Sequence, residues 1–565
     1  MTFFGKIKHV IKSQRFLFYV FLVVLIVPNI FLIITEPLSF WGKVCNVLLP
    51  LAFYALLFTF SRKPGIILWV LFPFIFLGAF QLVLLNLFGE SIIAVDMFLN
   101  LVTTNTGEAM ELLDNLIPAL IGVFLLYIPT LAAGVMSIRN KQKLDNEFLL
   151  RNRKYASIAL FTALLCMAIC YKTDKKYKAE IDLFPVNVCY NAYLAHERDV
   201  KTQHYYETSK NFKFNAKVGD SLTTKEIYVM VIGEASRAFD WSLYGYPRNT
   251  NPMLSKVNDI IVFKDDLTQS NTTHKSVPIL LSNASAQDYE CIYKQKGLIT
   301  AFKEAGFHTA FFSNQRYNHA FIDFFGKEAD VWYFIKEQGN NPNAMDEELL
   351  QRLEKEIGKG YAKLFVVLHT YGSHFNYKER YKPGKAFFKP DNISGASPKY
   401  RQGLINAYDN SIRSTDKFLS DIIHLLQKQQ QTASAILYTS DHGEDIYDDE
   451  RKLFLHASPL PSYYQLHVPF ILWFSPQYKQ QKPQVVEAAV NNKNKPISSN
   501  CVFHTMLNMG GIVTSYRNDS LSVVNRTFQE RKRFYLDDHN NPKSLMEIRL
   551  KEQDFEMFNK MKIKY

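Results

Sequence analysis

The chain has 565 residues, with 65 Lys and Arg against 53 Asp and Glu, so its formal net charge is +12. This length is too great for one ordinary domain and predicts at least two. The basic residues are scattered rather than grouped in runs, so we expect no nucleic-acid partner. A surface facing anionic lipid headgroups, or an ordinary solvated surface, accounts for them better.

Apolar residues are concentrated near the N-terminus. Five apolar runs there are close to the ~17–25 residues that cross a bilayer. They cover residues 16–34, 41–60, 66–88, 117–138 and 155–171. Five successive runs with so few internal charges would be unusual in a soluble protein. We therefore predict a transmembrane domain of five spans over residues 1–172.

Basic residues predict the orientation of these spans. Lys6, Lys8, Lys12 and Arg15 precede the first run, and residues 139–154 between the fourth and fifth runs are also basic. The positive-inside rule then places the N-terminus in the cytoplasm. An odd number of spans places everything after residue 171 on the other side. The first run lacks an obvious cleavage site, so we expect it to be retained.

The remaining residues alternate between apolar strand patterns and amphipathic helix patterns. The predicted strands are 227–232, 308–313, 362–369, 435–440 and 470–474; the predicted helices are 298–305, 345–358, 400–429 and 499–509. This alternation predicts an α/β sandwich with a mostly parallel sheet. We assign residues 173–222 to a helical connector and 223–565 to an exported catalytic domain. Residues 476–496 are expected to form a surface excursion.

Potential metal ligands follow several of these strands. Glu234 follows the first, Asn314 the second, and Asp441 and His442 the fourth, while His374 lies a few residues beyond the third. Ligand-binding groups of parallel sheets gather at the carboxyl ends of the strands. Carboxylate and imidazole ligands suit zinc. One such residue alone would more often be a cap or a core group, but the conjunction predicts a metal site. His456 and His467 follow closely and could return to it.

A hydroxyl nucleophile is predicted just before the apolar run 277–281. Thr272 and Thr273 lie where a helix would start, close to the positive end of its dipole and to free N–H groups. A hydroxyl next to zinc also loses its proton more readily. Simple N-capping is the alternative reading of these threonines.

Several longer motifs resemble one family. They are Gly-Glu-Ala-Ser-Arg at 233–237, Tyr-Gly-Tyr-Pro-Arg-Asn-Thr-Asn-Pro at 244–252, Gly-Ser-His at 372–374, Asp-His-Gly-Glu at 441–444, Leu-His at 455–456, Gln-Leu-His-Val-Pro at 465–469 and Val-Phe-His-Thr-Met-Leu at 502–507. The pattern is similar to that of the phosphoethanolamine transferases, membrane-anchored members of the sulfatase and alkaline phosphatase superfamily. In the membrane half, Asn100, Thr104 and Glu108 fall at the family's spacing. The resemblance covers essentially the whole chain.

The resemblance also implies roles for these residues. Glu234, Asp441 and His442 would bind zinc, with the oxygen of Thr273 as a further ligand. Substrate phosphate or a second zinc would contact His374 and His456, which would also serve in catalysis. The implied substrate-binding residues are Asn314, Glu444, His467, Asn100, Thr104 and Glu108; for the last three, helix capping and solubility are the alternative.

The nucleophile segment departs in part from the family pattern, a Thr-x-Thr-x-x-Ser-Val-Pro sequence in the lipid A enzymes. Alignment on Ser-Val-Pro at 276–278 places Thr273 at the nucleophile position and Asn271 at the first threonine. We predict Thr273, with Thr272 as the alternative. The family's many disulfides are missing as well, because only Cys189, Cys291 and Cys501 lie in the exported domain.

The resemblance implies a zinc-dependent enzyme of the bacterial inner membrane with a periplasmic catalytic domain. It would transfer phosphoethanolamine from phosphatidylethanolamine to an envelope glycan or to lipid A in lipopolysaccharide, through a zinc-activated threonine and a covalent phospho-threonine. Alternatives are a glycerophosphotransferase, a phosphodiesterase, or a non-catalytic membrane-anchored binding protein. Sulfatase chemistry is disfavoured because no Cys/Ser-x-Pro-x-Arg sequence surrounds Thr273. We expect a monomer; the acceptor and the number of zinc ions stay open.

Overall fold

The computed structural model describes residues 13–565 except 89–91, 104, 105, 220, 221, 340, 342, 393, 394, 396 and 459. The described side chains exclude, in addition, those of residues 87, 88, 100–103 and 106–116. The chain divides into two compact units. The first comprises Met1–Leu99 and Glu108–His196, and the second comprises Asn100–Gly107 and Glu197–Tyr565.

The N-terminal region is helical. Its successive helices are α1 (Gln14–Thr35), α2 (Phe40–Phe58), α3 (Pro64–Val70), α4 (Phe72–Phe88), α5 (Val95–Thr103), α6 (Thr106–Arg139) and α7 (Asn146–Thr173). Among the described residues, four helices are long and apolar enough to cross a membrane, or up to five if α3 and α4 form one span. The predicted set of N-terminal apolar helices is thereby confirmed as four to five.

The third predicted span is bent. The axes of α3 and α4 differ by 64°, and the break lies at Leu71, just before Pro73. Proline has no N–H to donate to the preceding turn, and its ring clashes with the carbonyl four residues earlier. The apolar run 66–88 therefore forms two helices instead of one.

Some buried polar side chains of this unit donate hydrogen bonds between segments distant in the chain. Asn29 Nδ2 donates to Asn46 O and to Phe184 O, at 2.8 Å each. Gln14 Nε2 donates to Ser137 O at 2.9 Å. An unsatisfied polar group in an apolar surrounding would cost several kcal/mol, roughly, so these bonds hold the helices in register.

The second unit is an α/β domain around a seven-stranded sheet. Its strands are β1 (Lys225–Gly233), β2 (Ile261–Phe263), β3 (His308–Ser313), β4 (Val331–Phe334), β5 (Lys363–His369), β6 (Thr432–Ser440) and β7 (Phe470–Phe474), in the spatial order β2-β7-β6-β1-β5-β3-β4. All neighbouring pairs from β6 to β4 are parallel, and β7 is antiparallel to both of its neighbours. The predicted mostly parallel sheet is confirmed.

Both faces of β1 are buried. Met230 and Ile232 belong to the largest apolar cluster, and the intervening Val229 and Val231 are fully buried as well. Successive side chains of a strand point to opposite faces, so helices or loops cover both sides of the sheet. This is why the strand reads as an unbroken apolar run.

Helices and short strands surround this sheet. The α-helices of the second unit are Tyr205–Thr208, Thr273–Leu281, Leu298–Glu304, Phe321–Gly326, Ile335–Gln338, Glu347–Ile357, Arg401–Gln427, Tyr463–Leu466, Pro476–Gln481, Pro483–Asn492, Cys501–Met509 and Glu552–Lys560. Earlier in the chain, the helices Ala179–Asp182 and Val186–Gln203 follow α7. The two-stranded sheets pair Lys217–Val218 with Ile512–Val513, Asp266–Leu267 with Ile497–Ser498, Asp445–Ile446 with Phe454–Leu455, and Phe534–Leu536 with Pro542–Ser544. The expected surface excursion at 476–496 thus contains two helices.

The aromatic core places Phe302 against the sheet. Its ring stacks on Phe365 of β5, with ring centroids 3.8 Å apart and planes 15° apart. Both side chains are fully buried. Aromatic pairs of this kind stabilise a core through buried area and ring geometry.

Replacing Phe302 with Ala should lower the free energy of unfolding by about 3–5 kcal/mol, because the deletion leaves a cavity under the sheet. Thermal or denaturant unfolding of the purified protein measures this. Phe387→Ala is the matched control, since 62% of the Phe387 side chain is exposed, and it should unfold like the wild type. Equal stability of the two variants would contradict the packing described here.

Candidate metal centre and active site

The sheet register brings the candidate ligands to one edge. Gly233 of β1 pairs with Ser440 of β6, so Glu234 and Asp441 come next on adjacent strands. Asp441 N donates to Gly233 O at 3.1 Å, and Ala235 N donates to Asp441 Oδ1 at 3.1 Å. The two strand ends are therefore bonded to each other, and their carboxylates are held side by side.

Three predicted ligands form one buried cluster. His442 Nε2 lies 3.5 Å from Glu234 Oε1 and 3.3 Å from Asp441 Oδ2. One ligand atom from each of the three residues falls within 4.8 Å of the others. All three side chains are almost fully buried. The arrangement is that of a compact metal site with two carboxylates and one imidazole.

Thr273 completes this cluster. It is the first residue of the helix Thr273–Leu281, whose N-cap is Thr272. Its Oγ1 lies 3.3 Å from Glu234 Oε1 and 3.1 Å from His442 Nε2. Ser276, one turn further along, donates from Oγ to Thr272 O at 2.8 Å. The hydroxyl that the sequence predicts as nucleophile thus lies next to Glu234 and His442 of the cluster.

The tautomer of His442 follows from its neighbours. His442 Nδ1 lies 2.9 Å from Gly443 O, and a carbonyl oxygen can only accept, so Nδ1 carries the proton. Nε2 then offers a lone pair toward Glu234 and Thr273. Burial lowers the pKa of His442 to about 4, which keeps the imidazole in the neutral form that binds metals.

The charges of the cluster call for a cation. Burial, and then the negative charge of Asp441, raise the pKa of Glu234 well above its usual range. Among the described residues no Lys or Arg forms an ion pair with Glu234 or Asp441. Two buried carboxylates without a basic partner repel each other unless a metal ion or a proton lies between them. The donor set therefore fits a divalent metal, and zinc in particular.

A second group of residues lies beside the first. His374, His456 and Glu234 offer ligand atoms within 4.8 Å of one another. The rings of His442 and His456 are 4.1 Å apart, and those of His374 and His456 are 6.0 Å apart. His456 Nδ1 lies 3.0 Å from Glu444 Oε1, while Glu444 Oε2 has no partner among the described residues. Two partly exposed imidazoles thus border the buried cluster.

The site can be compared with known proteins. The model of the family described as Sulfatase matches residues 226–512, just over half of the 565-residue chain. The chain belongs to the Sulfatase family. The matched region runs from β1 to the short strand after the helix Cys501–Met509, so it contains every ligand of the cluster.

Curated relatives support the narrower resemblance. The phosphoethanolamine transferase EptA of Salmonella typhimurium is 32% identical over 304 residues, which cover 52% of this chain and 54% of that protein. EptC of Escherichia coli strain K12, another phosphoethanolamine transferase, is 26% identical over 317 residues, 54% of each chain. This chain is therefore aligned with about half the length of these relatives. The resemblance to phosphoethanolamine transferases is confirmed.

A solved structure shares the fold over most of the chain. It is an integral membrane lipooligosaccharide phosphoethanolamine transferase A, EptA, from Neisseria meningitidis. The two share 20% identity and a TM-score of 0.70, over 90% of this chain and 98% of that one. At this identity the likeness concerns the fold alone. It covers both the apolar helices and the sulfatase-like α/β domain.

Two predicted substrate-binding residues of this sulfatase domain use their side chains elsewhere. Both ring nitrogens of His467 are engaged, Nδ1 with Tyr463 Oη at 2.8 Å and Nε2 with Lys264 O at 3.0 Å. Asn314 Nδ2 donates to Asp346 Oδ1 at 2.8 Å and to Ala344 O at 3.1 Å. These contacts hold both side chains within the domain, and contact of either residue with a substrate stays a prediction. Of the polar side-chain atoms of these two residues, only Asn314 Oδ1 has no partner among the described residues.

Three predicted residues lie outside the described part of the chain. Thr104 is not described at all, and only the backbones of Asn100 and Glu108 are, in α5 and α6. Their contact with a donor lipid stays a prediction.

One residue that holds the cluster was missed by the sequence-based prediction. Gln315 Nε2 donates to Glu234 Oε2 at 2.8 Å and to Thr370 O at 3.0 Å. It therefore orients the carboxylate so that Oε1 faces Thr273. The signal in the sequence that could have found Gln315 is its place directly after Asn314, just beyond the end of β3.

Two glycines permit the close approach of the loops. Gly372 has φ +47°, and a Cβ there would lie 2.6 Å from Glu234 O. At Gly443 a Cβ would lie 2.0 Å from Tyr464 O. Larger residues at either position would push backbone segments apart. The Gly-Ser-His and Asp-His-Gly-Glu motifs thus have a steric reason as well as a chemical one.

Arg237 ties the loop after His442 to the end of β1. Its side chain is 1% exposed and forms ion pairs with Asp240 and, at 2.6 Å, with Asp448. Its Nη1 also donates to Glu444 O at 2.9 Å. The guanidinium lies 4.9 Å from the ring centroid of Tyr464. A buried cation with this many partners fixes the position of residues 444–448.

Arg237→Ala should lower the free energy of unfolding by about 3–5 kcal/mol, because it leaves Asp240 buried without its cation. Asp448 would keep only Arg401, whose Nη2 lies 3.7 Å from Asp448 Oδ1. The thermal unfolding temperature of the purified protein tests this. Arg526→Ala removes an ion pair whose two side chains are 58% and 59% exposed, and we expect no measurable change there. A fully stable Arg237→Ala protein would contradict the anchoring role of Arg237.

Glu234→Gln should remove bound zinc, because it eliminates the charge of a central ligand. Elemental analysis of the protein, purified with and without a chelator, measures the metal content. The control is Glu290→Gln, since Glu290 pairs only with Lys201 among the described ion pairs. Unchanged zinc content in Glu234→Gln would mean that the cluster is not the metal site.

Proposed function

We propose that this chain transfers phosphoethanolamine from phosphatidylethanolamine to a glycan of the cell envelope or to lipid A, with Thr273 as the nucleophile. The observation that carries the proposal is the position of Thr273 Oγ1, 3.1 Å from His442 Nε2 and 3.3 Å from Glu234 Oε1. A helix-start hydroxyl in a buried ligand cluster is the arrangement that nucleophilic catalysis requires. The names of the aligned relatives point to the same group transferred.

Zinc is the proposed cofactor, held by Glu234, Asp441 and His442 beside Thr273. When bound, it would supply positive charge that polarises a phosphoryl group and favours the ionised form of a neighbouring hydroxyl. Whether His374 and His456 hold a second ion stays open.

In the first step, Thr273 Oγ1 gives its proton to solvent and forms a bond to the phosphorus of the donor. The bond from phosphorus to the glycerol oxygen breaks, and diacylglycerol leaves with a proton from His374 or His456. Thr273 then carries phosphoethanolamine. In the second step a hydroxyl or phosphate oxygen of the acceptor attacks the same phosphorus and passes its proton to that histidine. The bond from phosphorus to Thr273 Oγ1 breaks, and Thr273 takes a proton from solvent.

The position of the two histidines supports their proposed role. They border the buried cluster and are partly exposed, so either can contact the leaving oxygen of a donor that approaches from the open side. Glu444 lies next to His456, and its unpartnered Oε2 can accept a hydrogen bond from the ethanolamine ammonium. Burial raises the pKa of Glu444 to about 8, and a cation bound beside it would favour the ionised form.

The proposed location is the bacterial inner membrane, with the N-terminus in the cytoplasm and the α/β domain in the periplasm. The support is the set of four to five apolar helices together with the basic residues before and between them. A lipid donor requires an active site near the bilayer surface, which an anchored domain satisfies. We expect the protein to act as a monomer.

Incubation of the purified protein with phosphatidylethanolamine should add about 123 Da to Thr273, the mass of the phosphoethanolamine group in a covalent intermediate. Intact-protein and peptide mass spectrometry locate the adduct. Thr273→Ala should lose both the adduct and the transfer activity.

Thr272→Ala is the matched control, because the Thr272 side chain makes no N-cap hydrogen bond to the helix. It should retain the adduct and most of the activity. Full activity of Thr273→Ala, or an adduct that persists there and vanishes in Thr272→Ala, would overturn the assignment of the nucleophile.

A further inference from the structure

Asn271 lies two residues before the proposed nucleophile Thr273, where the family pattern has its first threonine. It is 3% exposed. Its amide nitrogen Nδ2 donates to Ser458 O at 2.7 Å and to Gln465 Oε1 at 2.6 Å. Its Oδ1 accepts a hydrogen bond from Tyr535 Oη at 2.6 Å. A threonine has a single hydroxyl donor and could not replace both hydrogen bonds of Nδ2.

Backbone carbonyls fix the orientation of the two amides in this group. Ser458 O can only accept, so the Asn271 atom beside it is the nitrogen. Gln465 Nε2 likewise donates to Leu455 O at 3.3 Å and to Asp445 Oδ2 at 2.6 Å, so its Oε1 faces Asn271. The hydrogen bonds therefore run in one direction through four buried side chains. These form the Asn271 network: Tyr535, Asn271, Gln465 and Asp445.

The Asn271 network bonds to the backbone on both sides of His456. On one side, Leu455 O accepts from Gln465 Nε2. On the other side, Ala457 N donates to Asn271 O at 3.2 Å, and the carbonyl of the following residue accepts from Asn271 Nδ2. The network therefore holds the loop that carries His456 against the segment that begins the nucleophile helix.

The backbone around His456 depends on such contacts. Leu455 and Ala457 have φ +67° and +63°, and neither is a glycine. This left-handed conformation is unfavourable for a residue with a Cβ and persists where the surrounding structure enforces it. Leu455 also pairs with Asp445 in a short two-stranded sheet. Loss of the network hydrogen bonds should therefore allow the loop to relax and to shift His456.

The position of His456 matters because its ring borders the metal cluster. The ring centroid lies 4.1 Å from that of His442, and Nδ1 lies 3.0 Å from Glu444 Oε1. The side chain is 17% exposed, so part of it is accessible to a donor. Among the described residues, no hydrogen bond of Asn271 reaches the side chain of a predicted metal ligand. Asn271 can therefore affect the site only through the residues it holds.

We propose that Asn271 is a positioning residue, which through its network holds His456 at a fixed distance from Thr273. This inference rests on the proposed function, in which Thr273 attacks the donor and His456 contacts the reacting group. Reaction rates depend steeply on the placement of such groups, and a displacement of about 1 Å can cost on the order of 100-fold. The network thus supplies a connection between nucleophile and histidine that a threonine at position 271 could not make.

Asn271→Leu tests this inference, because leucine has nearly the size of asparagine but neither donates nor accepts a hydrogen bond. The full-length protein in detergent is mixed with phosphatidylethanolamine, and mass spectrometry follows the adduct on Thr273 over time at several donor concentrations. We expect the maximal rate of adduct formation to fall about tenfold or more. The donor concentration at half-maximal rate and the zinc content should not change, because the network contacts neither donor nor metal.

Asn492→Leu is the matched control. Asn492 is also 3% exposed, and its Nδ2 donates to Val523 O and Asn525 O at 3.0 Å each. The substitution removes the same kind of buried hydrogen bonds and should leave the maximal rate of adduct formation unchanged. Tyr535→Phe is a milder second variant, for use if Asn271→Leu does not fold. It removes the hydroxyl that donates to Asn271 and should lower the maximal rate about fivefold, the effect of one neutral hydrogen bond.

A structure of the full-length Asn271→Leu protein gives a readout that does not depend on activity. It should show His456 displaced from Thr273, with the three ligands of the buried cluster in place. An unmoved His456, an unchanged rate, a loss of zinc, or an equal fall of the rate in Asn492→Leu would overturn this inference alone. Absence of the adduct in the unsubstituted protein would overturn the proposed transfer, and the inference with it.

Discussion

Two buried carboxylates, Glu234 and Asp441, lie next to each other because the parallel strands β1 and β6 end at the same level. Like charges in a buried site repel each other, and the pKa of Glu234 is raised first by burial and then by the charge of Asp441. Hydrogen bonds stabilise the pair, because Gln315 donates to Glu234 and a backbone N–H group donates to Asp441. A metal ion would remove most of the remaining cost. The fold therefore creates an unfavourable pair of buried negative charges at the centre of the site, and a bound metal ion would stabilise it.

The same constraint explains the supporting residues. His442 is neutral because it is buried, and its Nδ1 bond to Gly443 O leaves Nε2 for the cluster. The loop that carries it approaches Tyr464 and Arg237 so closely that only glycine fits at position 443. Arg237 neutralises Asp240 and Asp448 beneath that loop. Each of these contacts helps to hold the ligand atoms of the cluster in position.

The proposed lipid donor gives a physical reason for joining a Sulfatase-family domain to a set of apolar helices in one chain. A soluble enzyme would have to extract its donor from the bilayer, whereas an anchored one meets it at the surface.

The sequence by itself determined the strand ends, the ligand types and the threonine at the helix start, because these depend on short motifs and on local apolar patterns. It also predicted the mostly parallel sheet, since βα alternation leaves few other solutions. Only the tertiary structure decided that Gln315 holds Glu234 and that both nitrogens of His467 are used inside the domain. These outcomes depend on contacts between residues far apart in the chain, where side-chain direction and loop geometry matter and no local pattern records them.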